Sequence, residues 1–437
     1  MVTANFTPTR RALMAGLGAS VLDAAAGAAA PARPVRLALV ARPGTMDLRP
    51  GLPATAISEL AALTPAGAIR LMRGDRCEVA IRNDLSFAVA PIWRGLDGWT
   101  ATEPLLGRVA IATGTTETSI ISMPHAGTLL ADLRLLADGL KQPVRPLPVV
   151  VQEIQPVAVD HDQLFLIEDW RLAADGTAMV PGSAGAAVAP IYTVNGRLAP
   201  DFTQRANARL RLRFINGCHR AVVAVKIEGA EVTVMALDGQ PAEPFGARNG
   251  ALVLAPGARA DVFLDATAAP GSASPILIHD GKEARSIARL LVSPEAPLRP
   301  SRLPPARPLP SNGLPEPKLR GALRFEVELA AAEGWVRPAS FSPSSPPAFR
   351  AKAGRTIVLA LKNPGSVATV FHLHGHHFRL LDRLDDGWKP YWLDTLAIEP
   401  GQTQRIAFVT NHPGRWLIES VATDWAAPRL ARWFAVE

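Results

Sequence analysis

The sequence predicts an all-β protein of three tandem Greek-key β-sandwich domains, on three observations. Apolar runs are short and alternate with polar residues, 40 Pro and 34 Gly punctuate the 437 residues, and one turn-and-strand unit occurs three times. Alternation with period two marks a strand with one buried face, and Pro and Gly at this density end elements early and dilute helix formers. With 48% hydrophobic residues, a chain of this length has apolar surface enough for two or three cores.

The first copy of the repeat runs from Arg70 to Asn83, the second from Gln204 to Asn216 and the third from Phe349 to Asn363. Each is a turn, an alternating strand and an Asn. The Asn residues lie 133 and 147 positions apart, about one domain each. Thr113-Gly114, Pro256-Gly257 and Pro400-Gly401 then open a second turn and strand, such as Arg259 to Leu264 or Thr403 to Val409. Residues 294–317 hold nine prolines. Proline has no N–H for a ladder, so this stretch is read as a stiff linker. The expected domains are 33–157, 158–293 and 318–437.

Residues 1–32 are read as an address. Arg10-Arg11 precede a weakly apolar stretch from Leu13 to Leu22, too short to span a bilayer, and small residues from Ala24 to Ala32 suit cleavage. This is a Tat-type signal pattern, with an ordinary secretory signal as the alternative. Both place the mature chain outside the cytoplasm, and the Tat reading places it in the periplasm. No later segment is long and apolar enough to cross a membrane as a helix.

The net charge of +7 comes from scattered Arg, without the basic and aromatic interleaving of a nucleic-acid platform. It implies a solvated basic surface, or one that attracts anionic headgroups or wall polymer. Cys77 and Cys218 stand in different predicted domains and are read as buried free thiols, although the compartment would permit a disulfide.

One segment carries metal-type chemistry: His372-Leu373-His374-Gly375-His376-His377. On a continued strand His372, His374 and His376 would share a face, a plausible half-site for copper or zinc. The same run serves equally as a hydrogen-bonded strand end.

Phe371 to Phe378, Trp392-Leu393-Asp394-Thr395, Pro400-Gly401-Gln402-Thr403 and Pro413-Gly414-Arg415-Trp416 resemble the third domain of multicopper oxidases. Tyr192-Thr193-Val194-Asn195-Gly196, Ala236-Leu237-Asp238-Gly239-Gln240-Pro241 and Leu254 to Asp261 resemble that family's middle domain. The resemblance covers about 66 to 437 and implies cupredoxin-like domains.

It also implies copper positions, and most hold other residues. The type 1 His, Cys, His and Met positions are Thr369, Ser420, Trp425 and Leu430. The first domain's His-Trp-His-Gly motif reads Ile92-Trp93-Arg94-Gly95, its second His pair reads Asp132-Leu133-Arg134, and the last pair is Glu419 and Val421. Only His372 and His374 survive of the trinuclear set. A hydroxyl cannot replace the thiolate that tunes a type 1 centre.

The expectation is a former copper pocket in which Arg94, Asp132, Arg134 and Glu419, charges summing to zero, form a salt-bridge network between the first and third domains. The resemblance extends to copper-depleted, Tat-exported members, which implies a non-catalytic envelope protein without copper whose partners are envelope or divisome proteins. The alternatives are a copper-binding protein or oxidoreductase using a residual site at His372, His374, His376 and His377, and a chaperone or scaffold engaging anionic partners.

Overall fold

The computed structural model describes residues 34–437 except 64–67, 99–102, 141, 184–186, 330–332 and 383–386. The expected signal, residues 1–32, lies outside them. Among the described residues the chain is almost entirely strand, with three single 3-10 turns at Arg134–Leu136, Arg248–Gly250 and Pro338–Ser340.

The strands form six sheets, two per sandwich. The alternation seen in the sequence becomes alternation of burial: Arg76–Asn83 buries Cys77, Val79 and Ile81 and exposes or half-exposes the residues between them. The strand that leads to the repeated Asn is an interior strand of its sheet in all three domains. It pairs parallel with the domain's first strand (Val35↔Cys77, His161↔Leu210, Leu323↔Ile357). On its other side it pairs antiparallel with the strand after the Gly turn.

The Asn itself does the same work three times. Asn83 donates Nδ2–H to the carbonyls of Phe87 and Ile111 and accepts from Leu85 N–H. Asn216 does so with Ala221, Leu254 and Cys218, and Asn363 with Val367, Ile398 and Gly365. In each case its main-chain carbonyl accepts the N–H of the turn glycine, Gly114, Gly257 or Gly401. The buried amide thus staples the loop after its strand to the second turn of the same domain.

The three sandwiches pack through apolar patches. Ala90, Ile92, Leu106 and Leu135 meet Leu417, Trp433 and Ala435, Leu130 meets Leu166 and Ile215, and Val370 and Val421 join the core of the second sandwich. Cys77 and Cys218 are both buried free thiols. Residues 294–317 form no strand and lie along the surface. Arg209 Nη2 donates to the Pro304 carbonyl at 2.7 Å, and Asn312 bonds both to the main chain of Ala126 and to Gln240.

Candidate functional site

Strand register aims one set of side chains out of the third sandwich. In the pairing of Thr369–Leu373 with Gly414–Ala422, His372 lies opposite Glu419 and Phe371 opposite Ser420. Arg429 lies opposite Val421 and Leu430 opposite Ser420. Residues directly opposite share a face, so His372, Glu419, Val421 and Arg429 face outward, and Phe371, Ser420 and Leu430 face the core. In the first sandwich Ile92 pairs with Asp132, which puts Arg94 and Asp132 on one face.

The two faces meet. Arg94 Nη2 donates to Glu419 Oε1 at 3.0 Å, and Arg94 Nε lies 3.7 Å from Asp132 Oδ2, with all three side chains at most 3% exposed. Asp132 receives Arg134 Nε and Nη2 at 2.7–2.9 Å. Arg134 Nη1 reaches the carbonyls of Gly217 and Cys218, so the cluster extends to the second sandwich. The other oxygen of Glu419 is held by Arg429. Arg94, Asp132, Arg134 and Glu419 are therefore one buried cluster, and Arg429 joins it as a third guanidinium. These cations hold the Glu419 carboxyl far below the usual range against the opposing effect of burial.

His374 completes the cluster. Its Nδ1 lies 3.0 Å from Glu103 Oε1 and its Nε2 3.0 Å from Glu419 Oε1. Both partners are acceptors, so both ring nitrogens carry hydrogen. Burial opposes the charged form, but Glu103 and Glu419 raise this imidazole to about 9, so it is a cation at neutral pH. His372 is the opposite case. Its Nδ1 donates to the Asp394 carbonyl and to Thr395 Oγ1, each at 3.0 Å. Burial, then Arg94, push it well below its ordinary value and keep it neutral.

His376 does not share their face, contrary to the expectation. The strand ends at Leu373, and Gly375, at φ +65°, turns the chain. His376 enters the core against Trp416, Phe408 and Phe434, at ring distances of 5.1–5.6 Å, and burial lowers it to about 4. Among the described residues, the three donors that gather within 4.8 Å of one another are His372, His374 and Glu419.

His377 joins a second buried cluster at the meeting of all three sandwiches. Its Nδ1 bonds Asp97 Oδ1 at 2.7 Å and its Nε2 the Asp238 carbonyl at 2.9 Å. Despite burial, Asp97 raises it to about 9. Arg259 forks onto Asp394 with two bonds of 2.8–2.9 Å, and Asp238 Oδ2 accepts the N–H groups of Asp394 and Thr395. Burial first, then the neighbouring Asp394 carboxylate, raise Asp238 to about 6.

Of the type 1 positions, Thr369, Ser420 and Leu430 share the inward face by register. Ser420 Oγ donates to the Leu329 carbonyl at 2.6 Å. Trp425 is turned to the second sandwich, under Arg171 at 4.5 Å and edge-on to His219 at 5.8 Å.

Glu103, Arg429, Arg259 and Asp97 escaped the sequence reading. Arg429 was findable, because a core-facing Leu430 puts its neighbour on the face of Glu419. Glu103 lies outside any strand and has no periodic signal.

These residues do not fit copper. His374 is engaged through both ring nitrogens, by Glu103 and Glu419. Glu419 is already engaged by Arg94, Arg429 and His374. The cavity between Arg94, Arg134, His372, Glu419 and Arg429 measures about 10 Å³, the room of one water at most. Cys218 also lines this cavity, but burial pushes its thiol well above the ordinary range and so against the thiolate that a metal takes.

Two family models match the chain, each described as multicopper oxidase, over residues 161–273 and 316–437. Among solved structures the chain is similar to a multi-copper oxidase from Pseudomonas thermotolerans. That match has TM-score 0.78 and 24% identity over 92% of this chain and 99% of that one. It is also similar to Lac15 from a marine microbial metagenome, at TM-score 0.74 and 26% identity over 92% and 100%. A third match is McoA multicopper oxidase from Aquifex aeolicus, at TM-score 0.74 and 16% identity over 92% and 96%. No curated protein matches.

Proposed function

We infer, for a chain that carries multicopper oxidase family domains over 161–273 and 316–437, a function by binding instead of oxidation. The proposed role is that of a Tat-exported periplasmic scaffold in the cell envelope, resembling the cell-division protein FtsP, also called SufI, with envelope or divisome proteins as partners. The observation that carries the non-catalytic reading is the imidazolium of His374 held between Glu103 and Glu419, with Arg94 and Arg429 on the same carboxylate. A cation stands where the family places a copper ligand, and salt bridges span the first and third sandwiches there. Ser420 supports the same reading, since its hydroxyl offers no thiolate route for electrons.

A second reading is a copper-binding protein with a residual mononuclear site, favoured by the convergence of His372, His374 and Glu419. It requires His374 to lose its proton and Glu419 to lose cation partners before metal enters.

Metal analysis of protein matured in copper-sufficient cells, with a visible spectrum and an assay on phenols, separates the two. The scaffold reading expects copper far below stoichiometry and no turnover. Copper near stoichiometry with phenol oxidation, abolished by His372→Ala, overturns it.

A further inference from the structure

The linker between the second and third sandwiches carries a surface that the ionic clusters do not use. In Arg302-Leu303-Pro304-Pro305-Ala306-Arg307-Pro308-Leu309-Pro310, every residue from Leu303 to Pro310 except Ala306 is a proline or precedes one. Proline fixes φ near −65°, and the residue before it is pushed to extended backbone, so this octapeptide has little choice but polyproline II. That helix has three residues per turn.

Burial follows that period. Leu303 and Ala306 are half-buried, Leu309 and Asn312 are buried, and the residues between them are exposed. The inward row is anchored. Arg209 holds the carbonyls of Leu303 and Pro304, Leu309 packs with Met235, Ala236 and Phe263, and Asn312 is bonded to Ala126 and Gln240. Arg73 Nη1 holds the Ser311 carbonyl at 3.0 Å. The strap is thus fixed in place with two outward rows.

One outward row is Arg302, Pro305 and Pro308. A cation followed at steps of three by two prolines lies along one edge, spanning about 19 Å at 3.1 Å per residue. Neither Arg302 nor Arg307 has a hydrogen-bond or ion-pair partner among the described residues. Hollows of about 550 and 500 Å³ adjoin the strap and share Leu303, Pro305 and Ala306 in their walls, which leaves room for a partner's groove walls to descend beside it.

We propose that the Arg302, Pro305 and Pro308 edge is a docking ridge for a partner domain with an aromatic-lined groove and a carboxylate at its end. A ridge already ordered loses little conformational entropy on binding, which is the physical advantage of polyproline ligands. The two prolines fill the slots between aromatic rings and Arg302 pairs with the carboxylate. This surface is independent of the buried ionic clusters, and it stands if the copper-free reading fails.

The probe is an isotopically labelled SH3 domain of the class that takes a cation three residues before its first proline, titrated with the folded full chain. The expected result is a set of shifts confined to the aromatic groove. Affinity should fall about tenfold or more in Arg302→Glu and in Pro305→Ala/Pro308→Ala, and should change little in Pro310→Ala on the other edge. All of these side chains are exposed, so thermal melts should match the parent and separate loss of docking from loss of fold. Absence of shifts at millimolar protein, or shifts that survive Arg302→Glu and the double variant, overturns the proposal.

Discussion

Arg94 of the first sandwich and Glu419 of the third are joined by a 3.0 Å bond with neither side chain more than 3% exposed. In that setting neither charge has water to fall back on. Arg94→Ala leaves Glu419 short of a cation, and Glu419→Gln leaves Arg94 and Arg429 facing each other without their shared carboxylate. Removing one partner of a buried pair is expected to destabilise by about 3–5 kcal/mol. Replacing both, as Arg94→Met with Glu419→Leu, should restore part of the loss but leave Arg429 unpaired. Urea denaturation of the four proteins checks the order: parent, double variant, single variants.

The imidazole of His374 gives the fold an alkaline weakness. In the folded protein it keeps its proton to about pH 9, whereas in the unfolded chain it releases it near 6.5. Between those values the folded state binds the extra proton, so stability is full below about pH 6.5 and is lost as pH rises through 9. The whole span is worth about 3 kcal/mol. Glu103→Gln still offers an oxygen to the Leu417 N–H but withdraws one of the two charges that hold the proton. Its melting temperature should begin to fall at lower pH than the parent's. Parallel curves for the two proteins between pH 6 and 10 would refute this assignment.

How far these features were legible in the sequence depended on periodicity. The alternating strands and the three Asn-terminated copies are period-two and repeat signals, and the three sandwiches follow from them. His376 leaves the period-two pattern because the strand ends at Leu373 and the positive φ of Gly375 then turns the chain. Arg429 was legible in principle, since strand parity puts the neighbour of a core-facing Leu430 on the face of Glu419. Glu103 and the Arg259 to Asp394 pair were not legible: they meet across domain boundaries, and no spacing within one strand encodes a contact between sandwiches.

The repeated Asn makes a prediction that can be tried three times over. Each amide donates to two buried carbonyls and accepts one N–H. Asn→Ala at 83, 216 or 363 strands those groups without partners, at about 2–4 kcal/mol. Asn→Asp should be at least as damaging, because a carboxylate cannot donate to the carbonyls it would face. Comparable falls in melting temperature at all three sites are expected. A loss at one site alone would contradict the shared role.

Gly127 marks a close main-chain approach between the first two sandwiches. A Cβ placed there would lie 2.1 Å from the Gly239 carbonyl oxygen, and Gly127 itself has φ +154°. The obstructing atom is backbone, so relief requires the domains to separate instead of a side chain to swing aside. Gly114 offers the control, since it also has positive φ, at +75°, but nothing lies within 4 Å of its added Cβ. Gly114→Ala should therefore cost only the backbone strain, about 1 kcal/mol. Gly127→Ala should add overpacking to strain, for about 3 kcal/mol or more. It should also raise the susceptibility of the domain junction to limited proteolysis. Equal melting temperatures for the two variants would mean that the sandwiches yield at this contact, and that the ionic clusters rather than main-chain packing set their spacing.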